Sequence, residues 1–249
     1  MYVSSKSRQG NCGGSRVTLY LLAVVKCHAC QHIWSRSRRL LHHCGMLGEG
    51  MSYSDLATLG KLVAHHHGWQ TAKAFKSFEM DDAVRAKITT AALEILQVFP
   101  KIPGACALMS AALAVRLERD LSAPIAVVAG ALSVENEPVF GGEAAIPPGT
   151  FSKTDLDWDG HVWVMVGPYI VDVSIFRTAY SPYAPARLAK HVDLFFGPNK
   201  GLYVDQWKRT RQMGLRYEPD YVLSEAEVTG LMRGAFHLSE AQQRPPAVD

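Results

Sequence analysis

The stretch His161-Val-Trp-Val-Met-Val166-Gly167-Pro168-Tyr169-Ile-Val-Asp172-Val-Ser-Ile175 holds two β-branched runs on either side of a Gly-Pro pair. β-branched and aromatic residues fit a pleated, half-buried surface, and Gly-Pro punctuates a tight turn, so the stretch reads as a β-hairpin. Asp172 is set among Ile170, Val171, Val173 and Ile175, a poor setting for a carboxylate without a partner. His161 lies on the other arm, close to opposite it. Strands are roughly 5 Å apart, so side chains on one face of the pair can hydrogen-bond directly.

Before the hairpin the pattern is helical. Ser54 caps a helix through Leu56, Leu59, Leu62 and Val63 that Gly68 ends, and Gln70 to Met80 is ambiguous. Asp81 or Asp82 starts a stronger helix with Val84, Ile88, Ala91, Ile95 and Val98 on its apolar side, closed by Pro100 and Pro103. After Gly104 comes a helix that is apolar nearly all round, from Ala105 and Cys106 to Leu117, as expected of a helix buried inside a domain. Ile125 to Leu132 is a compact β-rich run. Asn136 to Thr150, with three prolines and three glycines, reads as an exposed loop.

Beyond the hairpin, Tyr180 to Pro185 reads as loop, Ala186 to Phe196 as a short helix and Leu215 to Val222 as a strand. Ser224 to Glu227 is a capping box opening a helix to about His237, and residues 239–249 form a polar, loose tail. Helices followed by an antiparallel sheet describe an α+β domain, here residues 51–238.

The 249 residues are 48% hydrophobic and 20% charged, an ordinary globular composition with no internal repeat. The longest apolar run, Val17 to Val25, is nine residues, where a bilayer needs about 20. A formal charge of +3 is too small to announce a nucleic-acid partner. Neither membrane nor nucleic acid is therefore expected. The charge is uneven: residues 1–50 carry seven basic side chains and one acidic one, leaving 19 basic and 22 acidic in residues 51–249.

Four of the five cysteines also fall in the leader, as Cys12, Cys27, Cys30 and Cys44. Cys27, His28, Cys30, His32, His42, His43 and Cys44 include a CxxC pair of the kind zinc sites use, but adjacent His43 and Cys44 reach one metal less readily than ligands a turn apart. A targeting segment is another reading, although no small-x-small cleavage site follows cleanly. The preferred reading is that residues 1–50 are a disordered or accidental extension outside the functional chain. Cys106, alone in the remaining 199 residues, has no disulfide partner in its own domain, so a cytoplasmic protein is expected.

Cys106 sits at the amino end of a buried helix, just behind a glycine, where unpaired N–H groups and the local dipole favour a thiolate. A nucleophile of this kind needs a base, and the base needs a third group to hold its ring. His161 and Asp172 fill those roles. Taken singly each has a plainer explanation: a small buried cysteine, a hydrogen-bonded strand histidine, and an aspartate paired with Arg177. Their conjunction and order favour chemistry.

Gly104-Ala-Cys106 on a core helix, Ala126-Val-Val-Ala-Gly130 on a strand, His161-Val-Trp163 on the next and Asp172-Val-Ser174 on its neighbour together resemble the transglutaminase-like group of the papain-like cysteine enzymes. The resemblance covers about Gly104 to Ser174 and implies a papain-like α+β fold, helices packed on an antiparallel sheet. It implies a Cys106, His161 and Asp172 triad acting on an amide or ester carbonyl of a peptide or protein substrate. The acyl group passes to water or to an amine, without metal or cofactor. The Cys106 N–H gives one oxyanion donor. Papain-like enzymes often take the second from a glutamine ahead of the cysteine, and the nearest here, Gln97, is nine residues back within a helix.

Trp158, Trp163, Tyr169 and Tyr183 are read either as lining for a peptide cleft or as core. Asp155, Asp157 and Asp159 are read as an acidic solvated loop, because the glycine and distal glutamate of a calcium loop are misplaced. Two other functions stand beside the enzyme: a catalytically silent module that holds a peptide in the same cleft, and a zinc-binding interaction protein in which the leader is the working part.

Overall fold

Strand β1, Ile125–Val134, has both of its edges in use. The computed structural model describes residues 53–102, 104–141, 146–147, 149–152 and 158–243, and side chains within 57–237 of these. The chain divides into two units, Met1–Gly50 and Met51–Asp249, and the described residues belong to the second. The candidate zinc ligands, Asp155, Asp157, and residues 244–249 of the expected tail lie outside the described residues.

The hairpin predicted at residues 161–175 is present as β3, His161–Val166, and β4, Tyr169–Asp172. Val166 pairs with Tyr169 across a two-residue turn in which Gly167 takes φ 54°. Antiparallel to β1 lie β2 (Glu137–Phe140) and β3 on one edge and β6 (Leu215–Val222) on the other, and β5 (Tyr203–Gln206) pairs with β4. The sheet is antiparallel throughout these pairings. β2 corrects the reading of 136–150 as an exposed loop: Glu135 and Asn136 both take positive φ, 53° and 66°, so the chain turns back at once and pairs Val134 with Glu137.

The described residues contain seven helices: α1 (Tyr53–Ser77), α2 (Asp82–Val98), α3 (Cys106–Asp120), α4 (Ile175–Ala179), α5 (Ala186–Phe195), α6 (Trp207–Thr210) and α7 (Glu225–Gln243). α1 leaves helical geometry at Gly68 (φ 79°, ψ 162°), the residue expected to end it, and resumes through the segment that was ambiguous. Asp81 caps α2 through a 2.7 Å bond from the Val84 N–H. The capping box of α7 forms, Ser224 N–H and Oγ both donating to Glu227 at 2.9 and 2.8 Å. α7 runs past His237 into the expected tail as far as Gln243.

Alternation along the strands splits the core in two. Val162, Val164, Val166 and Val171 pack with α2, α3 and α7. Trp163, Met165 and Ile170 pack with residues of α1, α4, α5 and β6, among them Leu59, Ile175, Leu188 and Tyr217. α3 is apolar nearly all round because it lies in the middle of the first core, with Ala111, Leu113, Ala114 and Leu117 at most 2% exposed. This is an α+β architecture with helices packed on an antiparallel sheet.

Candidate functional site

Asp172 ends β4, three residues before α4 begins at Ile175. Its Oδ1 accepts the backbone N–H groups of Ser174 (2.9 Å) and Ile175 (3.0 Å) and the Ser174 hydroxyl (3.0 Å). Those amides belong to the amino end of a helix, which leaves them without helical partners. The strand expected to reach Ile175 therefore stops at Asp172. The other carboxylate oxygen, Oδ2, lies 2.6 Å from His161 Nε2 and accepts the Tyr217 hydroxyl at 2.9 Å.

Extending the β3–β4 register of Val164 with Val171 puts Asp172 opposite Trp163, so His161 meets it on the diagonal rather than directly across. Diagonal neighbours on one face are within reach of long side chains. His161 is 2% exposed and Asp172 0%. The imidazole stacks on Phe140 (centroids 5.5 Å, planes 19° apart) and Trp163 (6.1 Å, 22°).

With Nε2 committed to Asp172, Nδ1 is the ring nitrogen left for the thiol. Cys106 is half-buried and outside any disulfide at the first turn of α3, near enough to His161 to contribute to the raised basicity of its ring. Two features hold it there. Gly104 takes φ 72°, a left-handed conformation that lets the chain turn from the Pro100 segment into the helix. One turn on, buried Ser110 donates to the Val162 carbonyl at 2.9 Å and pins α3 to β3. No side chain caps α3, and the Met109 N–H bonds the Ala105 carbonyl at 2.9 Å. Gly130, across β1 from His161, is needed for a different reason: a Cβ there would stand 1.9 Å from the Glu218 carbonyl oxygen.

Burial alone pushes the imidazole toward neutrality, but the Asp172 charge and hydrogen bond, with a smaller contribution from Cys106, raise it to about 10. For Asp172, burial opposes ionisation, and the His161 charge and hydrogen bond with those from Ser174 and Tyr217 outweigh it and hold the carboxyl below its ordinary range. The pair is thus an imidazolium and a carboxylate at neutral pH.

The three residues singled out in the sequence come together. Arg177 does not join them: its guanidinium donates to the carbonyls of Leu96 (2.6 Å), Phe99 (2.9 Å) and Pro100 (3.1 Å). It ties α4 to the end of α2 and the segment leading to Cys106. Gln97 is exposed on α2. Trp163 is core, and Tyr169 binds Met80 N–H and the Gln206 amide at 3.4 and 3.3 Å near the hairpin turn. Tyr183 is 75% exposed, and Trp158 folds over Gly160, where a Cβ would meet its ring at 1.9 Å. Among the described residues no three His, Cys, Asp or Glu side chains are grouped to hold a metal ion, and no helix is long and apolar enough to cross a membrane.

Tyr217 is the participant the sequence reading missed. Leu215, Tyr217 and Val222 mark the inward positions of β6, and a buried phenol needs an acceptor as a buried carboxylate needs donors. Nothing in the spacing joins residues 45 positions apart. Comparisons with protein-family models, with curated proteins and with solved structures find no match for this chain.

Proposed function

We propose that Cys106, His161 and Asp172 form the triad of a papain-like, transglutaminase-like cysteine hydrolase or acyltransferase acting on an amide or ester bond of a peptide or protein. The observation that carries this reading is the 2.6 Å bond from His161 Nε2 to a fully buried Asp172, which leaves Nδ1 for the thiol of a helix-start cysteine. A buried carboxylate is costly unless paired and hydrogen-bonded, and here the carboxylate is spent on fixing one imidazole.

In the reaction, Cys106 Sγ attacks the carbonyl carbon while the proton it gives up resides on His161. The Cys106 N–H, the oxyanion donor that the resemblance implies, and the dipole at the start of α3 stabilise the developing oxyanion. His161 passes its proton to the leaving amine or alcohol, and a thioester remains on Cys106. Water or an amine then attacks that thioester, His161 taking its proton and returning it to the departing sulfur. Asp172 keeps the ring oriented and balances the imidazolium. A cytoplasmic enzyme is compatible with a single cysteine, Cys106, in residues 51–249, which leaves no disulfide partner there.

The test is acyl-enzyme formation by the full chain with p-nitrophenyl acetate. The reading expects a burst of nitrophenol and an acetyl group on the tryptic peptide containing Cys106, with both lost in Cys106→Ser and His161→Ala. A folded wild-type protein that takes up no acetyl group on Cys106 would make it the silent peptide-holding module instead.

A further inference from the structure

Asp172 has more donors than a buried carboxylate needs. Its Oδ1 is filled by Ser174 and Ile175, all within three residues. Oδ2 carries His161 and, from the far side of β1, Tyr217. A carboxylate has about four lone-pair sites, so the fifth donor is not required to satisfy it. The phenol also selects the oxygen that holds the imidazole, rather than the one bound by the local turn.

Tyr217 itself is held on every side. Its ring lies parallel to Tyr203 (centroids 6.3 Å, planes 6° apart) and edge-on to Trp163 at 5.1 Å, with the His161 ring 6.1 Å away. Its carbonyl accepts the Trp207 indole N–H at 3.1 Å, and its strand pairs it with Leu132 of β1. The ring is 1% exposed. Burial and the Asp172 charge push the phenol well above its ordinary range, so it stays a donor wherever Asp172 is ionised.

We propose that Tyr217 is a positioning residue of this site, its hydroxyl holding the Asp172 oxygen that holds His161 and so fixing the imidazole toward Cys106. The proposal rests on the triad reading above and adds a fourth member to it. Tyr217 touches neither thiol nor substrate; it acts only through Asp172 and His161. That dependence separates positioning from mere support of the core, because a supporting residue matters whether or not His161 is present.

The experiment is a double-mutant cycle on the full chain, reading the rate at which iodoacetamide alkylates Cys106 at pH 7. In this reaction the thiolate displaces iodide, and the Cys106 tryptic peptide is followed by mass spectrometry so that the other cysteines do not intrude. Tyr217→Phe keeps the ring and removes one hydrogen bond; circular dichroism checks its fold, and a variant that melts low is compared at 4 °C.

The expected result is an alkylation rate about 3- to 10-fold lower for Tyr217→Phe than for wild type, no further loss when Tyr217→Phe is added to His161→Ala, and an unchanged rate for Tyr203→Phe. Equal slowing in the presence and absence of His161, or no slowing in either, would overturn the role of Tyr217. If His161→Ala alone leaves alkylation unchanged, the triad reading fails and this proposal with it.

Discussion

Among the described residues two buried histidines meet an acidic side chain and stack on a phenylalanine, yet their carboxylate partners differ in burial and bonding. His161, at the start of β3, has an Asp172 partner at 2.6 Å that is 0% exposed. His191, on α5, is equally hidden, but its Nε2 bonds the Met213 carbonyl at 2.9 Å and its acidic neighbour, Glu135, lies 3.6 Å from Nδ1 with 55% of its side chain exposed. His191 stacks on Phe195 at 4.4 Å and fills the space left by Gly214, where a Cβ would meet its ring at 2.5 Å. It is a packing residue with one backbone bond. Burial does not distinguish the two rings; what distinguishes them is whether the carboxylate beside the ring is itself desolvated and fully bonded.

Charge-removing isosteres should break this comparison apart. Asp172→Asn leaves a buried imidazole without its counter-charge and sets an amide N–H₂ against two donors. It should cost about 3 kcal/mol of stability in urea unfolding at pH 6, and with it nearly all Cys106 acylation. The same measurement on Asp172→Asn across pH sharpens the point. A base raised from its ordinary 6.5 to about 10 gives stability that is fully present below pH 6.5 and lost as the pH rises through 10. A carboxyl held below its ordinary 3.8 gives stability that is present above 3.8 and lost as the pH falls through its lowered value. The difference between wild type and Asp172→Asn should therefore be greatest between about pH 4 and 6.5 and decline on both sides.

Next in size is Arg177→Lys, which gives up the fork that spans the Leu96, Phe99 and Pro100 carbonyls. The loss should be about 1–2 kcal/mol in the same unfolding experiment, with a modestly slower Cys106 because the segment ahead of it is less firmly held. Smallest is Glu135→Gln, a change beside His191 at a partly exposed carboxylate. Its unfolding free energy should stay within about 0.5 kcal/mol of wild type, with Cys106 acylation untouched.

The same contrast explains how much was legible in the sequence. The β3–β4 hairpin could be read because β-branched runs flank a Gly-Pro turn, and the buried helix α3 because its apolar residues leave no polar face. The α7 capping box could be read because it is a local motif of four residues. Cys106 and Asp172 could be picked out because each is odd in place, a lone thiol at a helix start and a carboxylate in an apolar strand, and His161 because it lies on the hairpin arm facing Asp172.

What stayed hidden depends on partners distant in the chain. β2 lies inside a segment whose prolines and glycines read as loop; β5, four residues long, has no periodicity to show. Val173 and Ile175 are β-branched and read as strand, but Asp172 takes the Ser174 and Ile175 amides and a helix starts there, and the Tyr217 bond joins β6 to β4 across two intervening strands. Arg177 reads in the sequence as a partner for Asp172, and its use on the carbonyls of Leu96, Phe99 and Pro100 is likewise a fact of tertiary packing.

The central claim is that His161 activates Cys106. Its most direct test is the rate of Cys106 alkylation by iodoacetamide between pH 5 and 9 in the full chain, with and without His161→Ala. The account predicts that wild type reacts roughly tenfold or more faster than His161→Ala near pH 6, where the imidazolium is intact, and that the two rates converge as the pH approaches 9. Rates that coincide throughout that range would contradict it and make Cys106 an ordinary half-buried thiol.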